Sequence, residues 1–360
     1  MLVAIKSRIH TKFVTNFYQS SQYSTLRNKF NICFFGTDQF SEYSLEKLLN
    51  YRDSFNSRIN RIDVVTPPDS RTGRGYKVVT PAPLKTYAEK HSLSVVHPPP
   101  KKFGNWEIPN FEEKNYDLAI AVSFGYFIPT RVLTKFPQGG LNVHPSLLPK
   151  YRGAAPIFHT LINEESETGV TVQELSTEKF DAGKILNQKI FTIPSKPYYL
   201  DIYEKLGILG ADMLVETIDN LEEFKMNAKT QDSSQITHAK KFGKEYMKIN
   251  WLEDNLGLLM KKHRVLGWKF ALFAEFRKQT IQLFPIDDTS KIDLKSIKIL
   301  SKSVPGTLYY TPDHQYLVIT TLNPKEHLIV DQVHVSNKRK IHVKEFLNGY
   351  QLVNGKEILN

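Results

Sequence analysis

Asn142 and His144 are the residues of this 360-residue sequence whose types and spacing best suit chemistry. They follow the pair Gly139-Gly140 in a short apolar run, and the period-two alternation of a strand turns both side chains to one face. Pro145 withholds a ladder donor, so the strand is expected to end at His144. An amide and an imidazole thus share the carboxyl end of a strand, where open α/β sheets hold their ligands. Read alone, His144 is either a catalytic group or a hydrogen-bonded core histidine. Pro149 and Pro156 then bracket a basic, glycine-containing loop that opens toward a helix.

The elements that must position this pair alternate along the chain. Strand patterns at 31–35, 62–66, 93–96, 117–122, 142–144 and 169–175 are interleaved with helical ones at 41–50 and 84–91, up to Phe136 and after Pro156. Ser41 is read as the first helix's cap. The near-continuously apolar run 117–122 fits a central strand buried on both faces. This alternation makes the fold class α/β, a doubly wound sheet. Residues 180–183 form a turn in which Asp181, read alone, is an ordinary turn residue. An amphipathic helix over 202–221 closes the first domain, and 226–240 has linker composition. Beyond it, a basic helix over 253–265 and strands at 280–285, 307–310, 316–321 and 328–335 suggest a small β-barrel or sandwich.

Charge and composition narrow the function. The formal net charge is +11, and residues 1–37 contain no acid. That serine-rich, basic, amphipathic start reads as a mitochondrial presequence over 1–30, with a basic tail as the alternative. The remainder is still net basic, which suits an anionic partner. Cys33 is the single cysteine and lies in an apolar run, so it is read as a buried structural thiol. No run approaches the ~18 apolar residues of a membrane span, and no membrane association is expected. Gly36 stands alone where a dinucleotide fingerprint needs three glycines, which argues against NAD or FAD. The loop 67–77 carries Arg71, Arg74 and Lys77 and is either a solvated turn or an RNA contact. No His, Cys, Asp or Glu spacing suggests a metal site.

With those residues placed, the chain resembles the methionyl-tRNA formyltransferases from about residue 30 onward, with the presequence pointing to the mitochondrial branch. Asn142-Val143-His144 with Ser146-Leu147-Leu148-Pro149-Lys150-Tyr151-Arg152-Gly153-Ala154-Ala155-Pro156-Ile157 carries most of the resemblance. Phe34-Phe35-Gly36-Thr37, Pro68-Asp69 with Gly73-Arg74-Gly75, Ser123-Phe124-Gly125-Tyr126 and Thr168-Gly169-Val170-Thr171 add to it, as does Ala239-Lys240-Lys241 through Ile249-Asn250-Trp251. The resemblance implies a Rossmann-like formyltransferase domain over 31–225, a linker over 226–240, and a smaller β-barrel-like, OB-type domain over 241–360 that helps hold tRNA.

It also implies formyl transfer from 10-formyltetrahydrofolate to the α-amino group of methionine on initiator tRNA, in the mitochondrial matrix. By position, Asn142, His144 and Asp181 match the family's catalytic trio. Asn142 and His144 would both donate to the developing oxyanion, and Asp181 would orient His144 and help the amine lose its proton. Phe124, Gly125, Tyr126, Ser146, Leu147, Leu148 and Pro149 are expected to line the folate cleft. Arg71, Arg74, Lys77, Lys150 and Arg152 are the expected tRNA contacts. No metal is implied, and a monomer is expected. Pro145 and the run Lys179-Phe180-Asp181-Ala182-Gly183-Lys184 depart from the bacterial pattern. The competing readings are a folate enzyme acting on a small amine or hydrolysing the donor, and a non-catalytic RNA-binding protein.

Overall fold

The computed structural model describes residues 29–360 except Arg74, Tyr76 and Ser301. The expected presequence lies outside the described residues but for its last two positions, and Arg74 lies outside them too. The chain forms two compact units, each discontinuous in sequence.

The first unit takes the described residues up to Arg152, together with Gly169–Phe191 and Glu204–Thr237. In chain order its strands are β1 (Phe30–Gly36), β2 (Ile59–Val65), β3 (Ser70–Thr72), β4 (Val78–Thr80), β5 (Val95–Val96), β6 (Leu118–Val122) and β7 (Gly140–His144). After the two-residue β8 (Arg152–Gly153) come β9 (Glu167–Glu174) and β10 (Ile185–Thr192). The seven-stranded sheet runs β10-β9-β7-β6-β1-β2-β5. Its β5, β2, β1, β6 and β7 are parallel, and β9 lies antiparallel to β7. All five side chains of β6 are buried, as its apolar run requires of a central parallel strand. Phe35, Phe103, Phe124 and Phe136 pack beside Cys33 in a buried cluster on this sheet. Burial, followed by the charge of Asp63, pushes the Cys33 thiol well above its ordinary range.

Three local features differ from the sequence reading. The first helix, Gln39–Arg52, is capped by Asp38, whose carboxylate accepts from Phe40 N and Ser41 N, and Ser41 sits inside it. Both donors share Asp38 Oδ1, at 3.1 and 3.4 Å, which leaves Oδ2 for the Ser123 hydroxyl. The loop 67–77 contributes to a hairpin, with β3 and β4 pairing from Ser70↔Thr80 to Thr72↔Val78. Val78 and Val79 are exposed there, so the hairpin lacks the apolar alternation that marks a buried strand. The stretch with linker composition is built into the first unit: Lys229 exchanges backbone hydrogen bonds with Ile185 at 2.8 and 2.9 Å, and Gln231 is buried.

The second unit comprises Gly153–Thr168, Thr192–Tyr203 and His238–Asn360. After β11 (His238–Ala239) come β12 (Leu272–Phe276), β13 (Gln279–Pro285), β14 (Leu308–Tyr310), β15 (Leu317–Thr320), β16 (His327–Val335) and β17 (Ile341–His342). They form an antiparallel, six-stranded sheet ordered β12-β13-β16-β15-β14, with β17 on β16. This is the smaller, barrel-like domain. The basic helix is Leu256–Leu266, capped by Asn255. The helix Pro156–Ile162 belongs to this unit because the Phe158 ring packs 4.3 Å from Phe242 and 5.3 Å from Tyr246. Strand β12 and the helix Val343–Tyr350 were not read from the sequence. Among the described residues, no helix is long and apolar enough to cross a membrane.

Candidate active site

The strand ends where its sequence demands, at His144 before Pro145. Because β9 is antiparallel to β7, Asn142 sits opposite Gln173 and His144 opposite Thr171. Four polar side chains therefore meet on one face of two adjacent strands. The turn between β9 and β10 brings Asp181 onto them, and the Glu174 N–H donates to Lys184 O (2.9 Å) across its base. Gly183 permits this closure: a Cβ there would stand 1.8 Å from Glu174 O. Asp181 adopts the left-handed conformation, φ 54°.

The carboxylate of Asp181 is the hub. Its Oδ1 accepts from Asn142 Nδ2 at 3.2 Å and from Gln173 Nε2 at 3.2 Å, and lies 3.4 Å from His144 Nδ1. His144 is buried, and its Nε2 lies 2.9 Å from Tyr151 O. A carbonyl only accepts, so Nε2 carries hydrogen and donates, leaving Nδ1 to face the carboxylate. The two nitrogens of His144 thus have separate duties, and one of them is occupied by the protein. Asn142 likewise gives one amide hydrogen to Asp181 and retains a second.

A further layer holds the hub. Gln231 Nε2 reaches Gly183 O (2.7 Å), Asp181 O (3.0 Å) and Gln173 Oε1 (3.2 Å), while its Oε1 accepts from Arg152 Nη2 (2.7 Å) and Nε (3.0 Å). Burial draws the Arg152 guanidinium below its ordinary range, and the Asp181 charge offsets part of that. Arg152, expected as a tRNA contact, is turned inward against Gln231. Arg71 and Lys77 lie exposed on the β3–β4 segment, and Lys150 is exposed beside the site.

The loop after β7 is braced from β9 and β10. Thr171 Oγ1 donates to Ser146 O (2.7 Å) and accepts from Leu148 N (3.2 Å) and Gln188 Nε2 (2.8 Å), and Gln188 Nε2 also reaches Leu148 O (2.9 Å). The Ser146 hydroxyl donates to Lys150 O (2.7 Å), so Ser146 and Leu148 are buried supports of the loop, as is Pro149; Leu147 keeps an exposed face. In the neighbouring loop after β6 the Phe124 ring packs inward, 5.3 Å from Phe35. Its main chain is clamped, with Thr37 Oγ1 donating to Phe124 O (3.0 Å) and Ser123 Oγ to Asp38 Oδ2 (2.7 Å). Burial raises the Asp38 carboxyl, and its hydrogen bonds act the other way. Gly125 is exposed at φ 75°, and Tyr126 OH accepts from Lys101 N (2.9 Å).

Sequence reasoning missed Thr171, Gln173, Gln188 and Gln231. Thr171 and Gln173 were findable, because they alternate with Val170 and Val172 in the strand paired to β7.

The family model for formyl transferases matches residues 30–218. The mitochondrial methionyl-tRNA formyltransferase of Rattus norvegicus is 30% identical over 331 residues, covering 91% of this chain and 80% of that protein. The methionyl-tRNA formyltransferase of Staphylococcus aureus strain MW2 is 32% identical over 322 residues, covering 89% and 96%. Among solved structures, HypX from Aquifex aeolicus in complex with tetrahydrofolic acid superposes with a TM-score of 0.57 at 17% identity, over 90% of this chain. The chain spans about half of HypX (48%), and that likeness is one of fold. The matched family domain contains Asn142, His144 and Asp181, and the two relatives extend the match across most of the chain. The chain belongs to the methionyl-tRNA formyltransferase family and is a formyl-transferring enzyme.

Proposed function

We propose that the protein transfers the formyl group of 10-formyltetrahydrofolate to the α-amino group of methionine on initiator tRNA. It does so as a monomer in the mitochondrial matrix, with Asn142, His144 and Asp181 as the reaction centre. The observation that carries this reading is the convergence of Asn142 Nδ2 and His144 Nδ1 on one carboxylate oxygen, at 3.2 and 3.4 Å.

As the amine attacks the formyl carbon, charge grows on the formyl oxygen and a proton must leave the nitrogen. The second amide hydrogen of Asn142 serves that oxygen, and losing such a donor costs about 3–4 kcal/mol of barrier. His144, its Nε2 hydrogen held by Tyr151 O, turns Nδ1 toward the reaction centre and the Asp181 carboxylate. A proton taken there produces an imidazolium beside the Asp181 carboxylate, an arrangement worth roughly 10²–10⁴ in rate. His144 therefore acts as a base oriented and charge-paired by Asp181, rather than as a second oxyanion donor. The tetrahedral adduct then collapses: the bond from the formyl carbon to the donor's N10 breaks, that nitrogen receives the proton and tetrahydrofolate leaves, so no covalent enzyme intermediate is needed.

The residues present suit a flat pterin ring as part of the formyl donor. Gly125 exposes its main chain, with no atom within 4 Å of where a Cβ would stand, and Leu147 offers apolar surface from the next loop. The mitochondrial relatives and the basic start support the location. The test supplies 10-formyltetrahydrofolate and methionyl-tRNA to the full chain. Formyl-methionyl-tRNA that disappears in His144→Ala upholds the reading. Free formate without the formylated tRNA would instead make this a hydrolase.

A further inference from the structure

We infer that Arg152 and Gln231 form a polarity relay that sets the hydrogen-bond donors around Asp181, so that both are positioning residues for the reaction. This rests on the reaction centre proposed above.

A carboxamide can be turned over at little steric cost, and what fixes its direction is its partners. The chain of contacts here has one unambiguous end. Arg152 is a donor only, and it aims two N–H groups at one atom of Gln231, which must therefore be the amide oxygen. The Gln231 nitrogen consequently faces Gly183 O, Asp181 O and Gln173 Oε1. The first two are carbonyls and accept only, so they fix the same direction independently. Gln173 must then present its oxygen to Gln231 and its nitrogen to Asp181 Oδ1. Reversed, Gln173 would set an oxygen against the carboxylate and lose both bonds.

The relay spans both sides of the catalytic turn, since Gln231 grips the carbonyls of Asp181 and Gly183 while Gln173 grips the carboxylate. Gln173 and Gln231 are 1% and 9% exposed, so water does not replace these partners cheaply. Asp181 holds the left-handed conformation that aspartates adopt in turns, and the Gln231 bonds to the carbonyls of Asp181 and Gly183 pin that turn in place. Arg152 is thus assigned to orientation rather than to phosphate binding.

The decisive variant is Gln231→Glu in the full chain. It keeps shape and still accepts from Arg152, but removes every N–H that Gln231 gives to the turn and to Gln173. Expected is a kcat about 10- to 100-fold lower with the KM for methionyl-tRNA little changed, and an unfolding temperature lowered because buried carbonyls lose their donor. In an Asp181→Asn background the same substitution should cause no further loss. Arg152→Met should behave likewise and Arg152→Lys should lose less, which keeps the test available if Gln231→Glu does not fold. Multiplying losses in the Asp181→Asn background would overturn the relay. So would an Arg152→Met defect confined to tRNA KM with an altered salt dependence. Full activity of Asp181→Asn alone would instead sink the proposed reaction centre.

Discussion

The amide of Asn142 gives one hydrogen to Asp181 Oδ1, 3.2 Å away, and this single contact fixes which way the amide faces. Replacing Asn142 by Asp removes the donor proposed for the formyl oxygen and opposes two carboxylates at that distance. Expected is a kcat 10²- to 10³-fold below that of the unaltered enzyme. Asn142→Asp should also be worse than Asn142→Ala, which loses the donor without adding charge. Steady-state formylation by the two variants checks the order.

Arg58 predicts a purely structural effect. Its buried guanidinium donates to Ile218 O and Asp219 O at 3.3 Å and pairs with both Glu222 oxygens at 2.6 and 2.7 Å. It also lies 4.6 Å from the centre of the Phe30 ring. Arg58→Met should cost about 2–3 kcal/mol of stability, read by denaturant unfolding. The Arg58 hydrogen bond holds the Glu222 carboxyl down at about 2. The unfolded chain therefore binds that proton more readily, and the pair's contribution is present above pH 4.5 and lost as pH falls toward 2. In Arg58→Met that acid-side loss should shrink.

His263 and His327 make the second unit sensitive to milder acid. Burial lowers both from the ordinary value of 6.5. A lowered histidine favours the folded state above its unfolded value, and that advantage fades as pH drops below 6.5. Unfolding of the second unit should be easier at about pH 5.5 than at pH 7.5. His263→Gln with His327→Gln should flatten the difference.

Arg71 and Lys77 are the accessible described cations of the β3–β4 segment. If they meet phosphates, Arg71→Ala and Lys77→Ala should each reduce the salt slope of tRNA binding by about 0.7–0.9 and leave folate KM unchanged. An unchanged slope would remove the hairpin from the tRNA surface.

How legible the site was depended on how local its cause was. Asn142 and His144 could be placed because alternation and Pro145 act within six residues. The β6 strand was legible because its burial on both faces leaves an unbroken apolar run. Asp181 came from resemblance alone, since a turn aspartate carries no periodic signal. Arg152 was expected outward because it lies in a basic loop; its inward partner, Gln231, stands 79 positions later in a stretch composed like a linker. The Asp38 cap was misplaced by three residues because Ser41 is itself a good capping type. The Arg152 error thus comes from a partner distant in the chain, and the Asp38 error from two capping types within one helical turn.

Gln231 has a consequence for modularity. The matched formyl transferase domain ends at residue 218 and carries the whole trio, yet the side chain that holds the Asp181 turn arrives thirteen residues later. A fragment or chimaera cut at the homology boundary would inherit the chemistry without its alignment. Any transplanted piece must at least keep Gln231, which lies in the segment Glu204–Thr237 of the first compact unit.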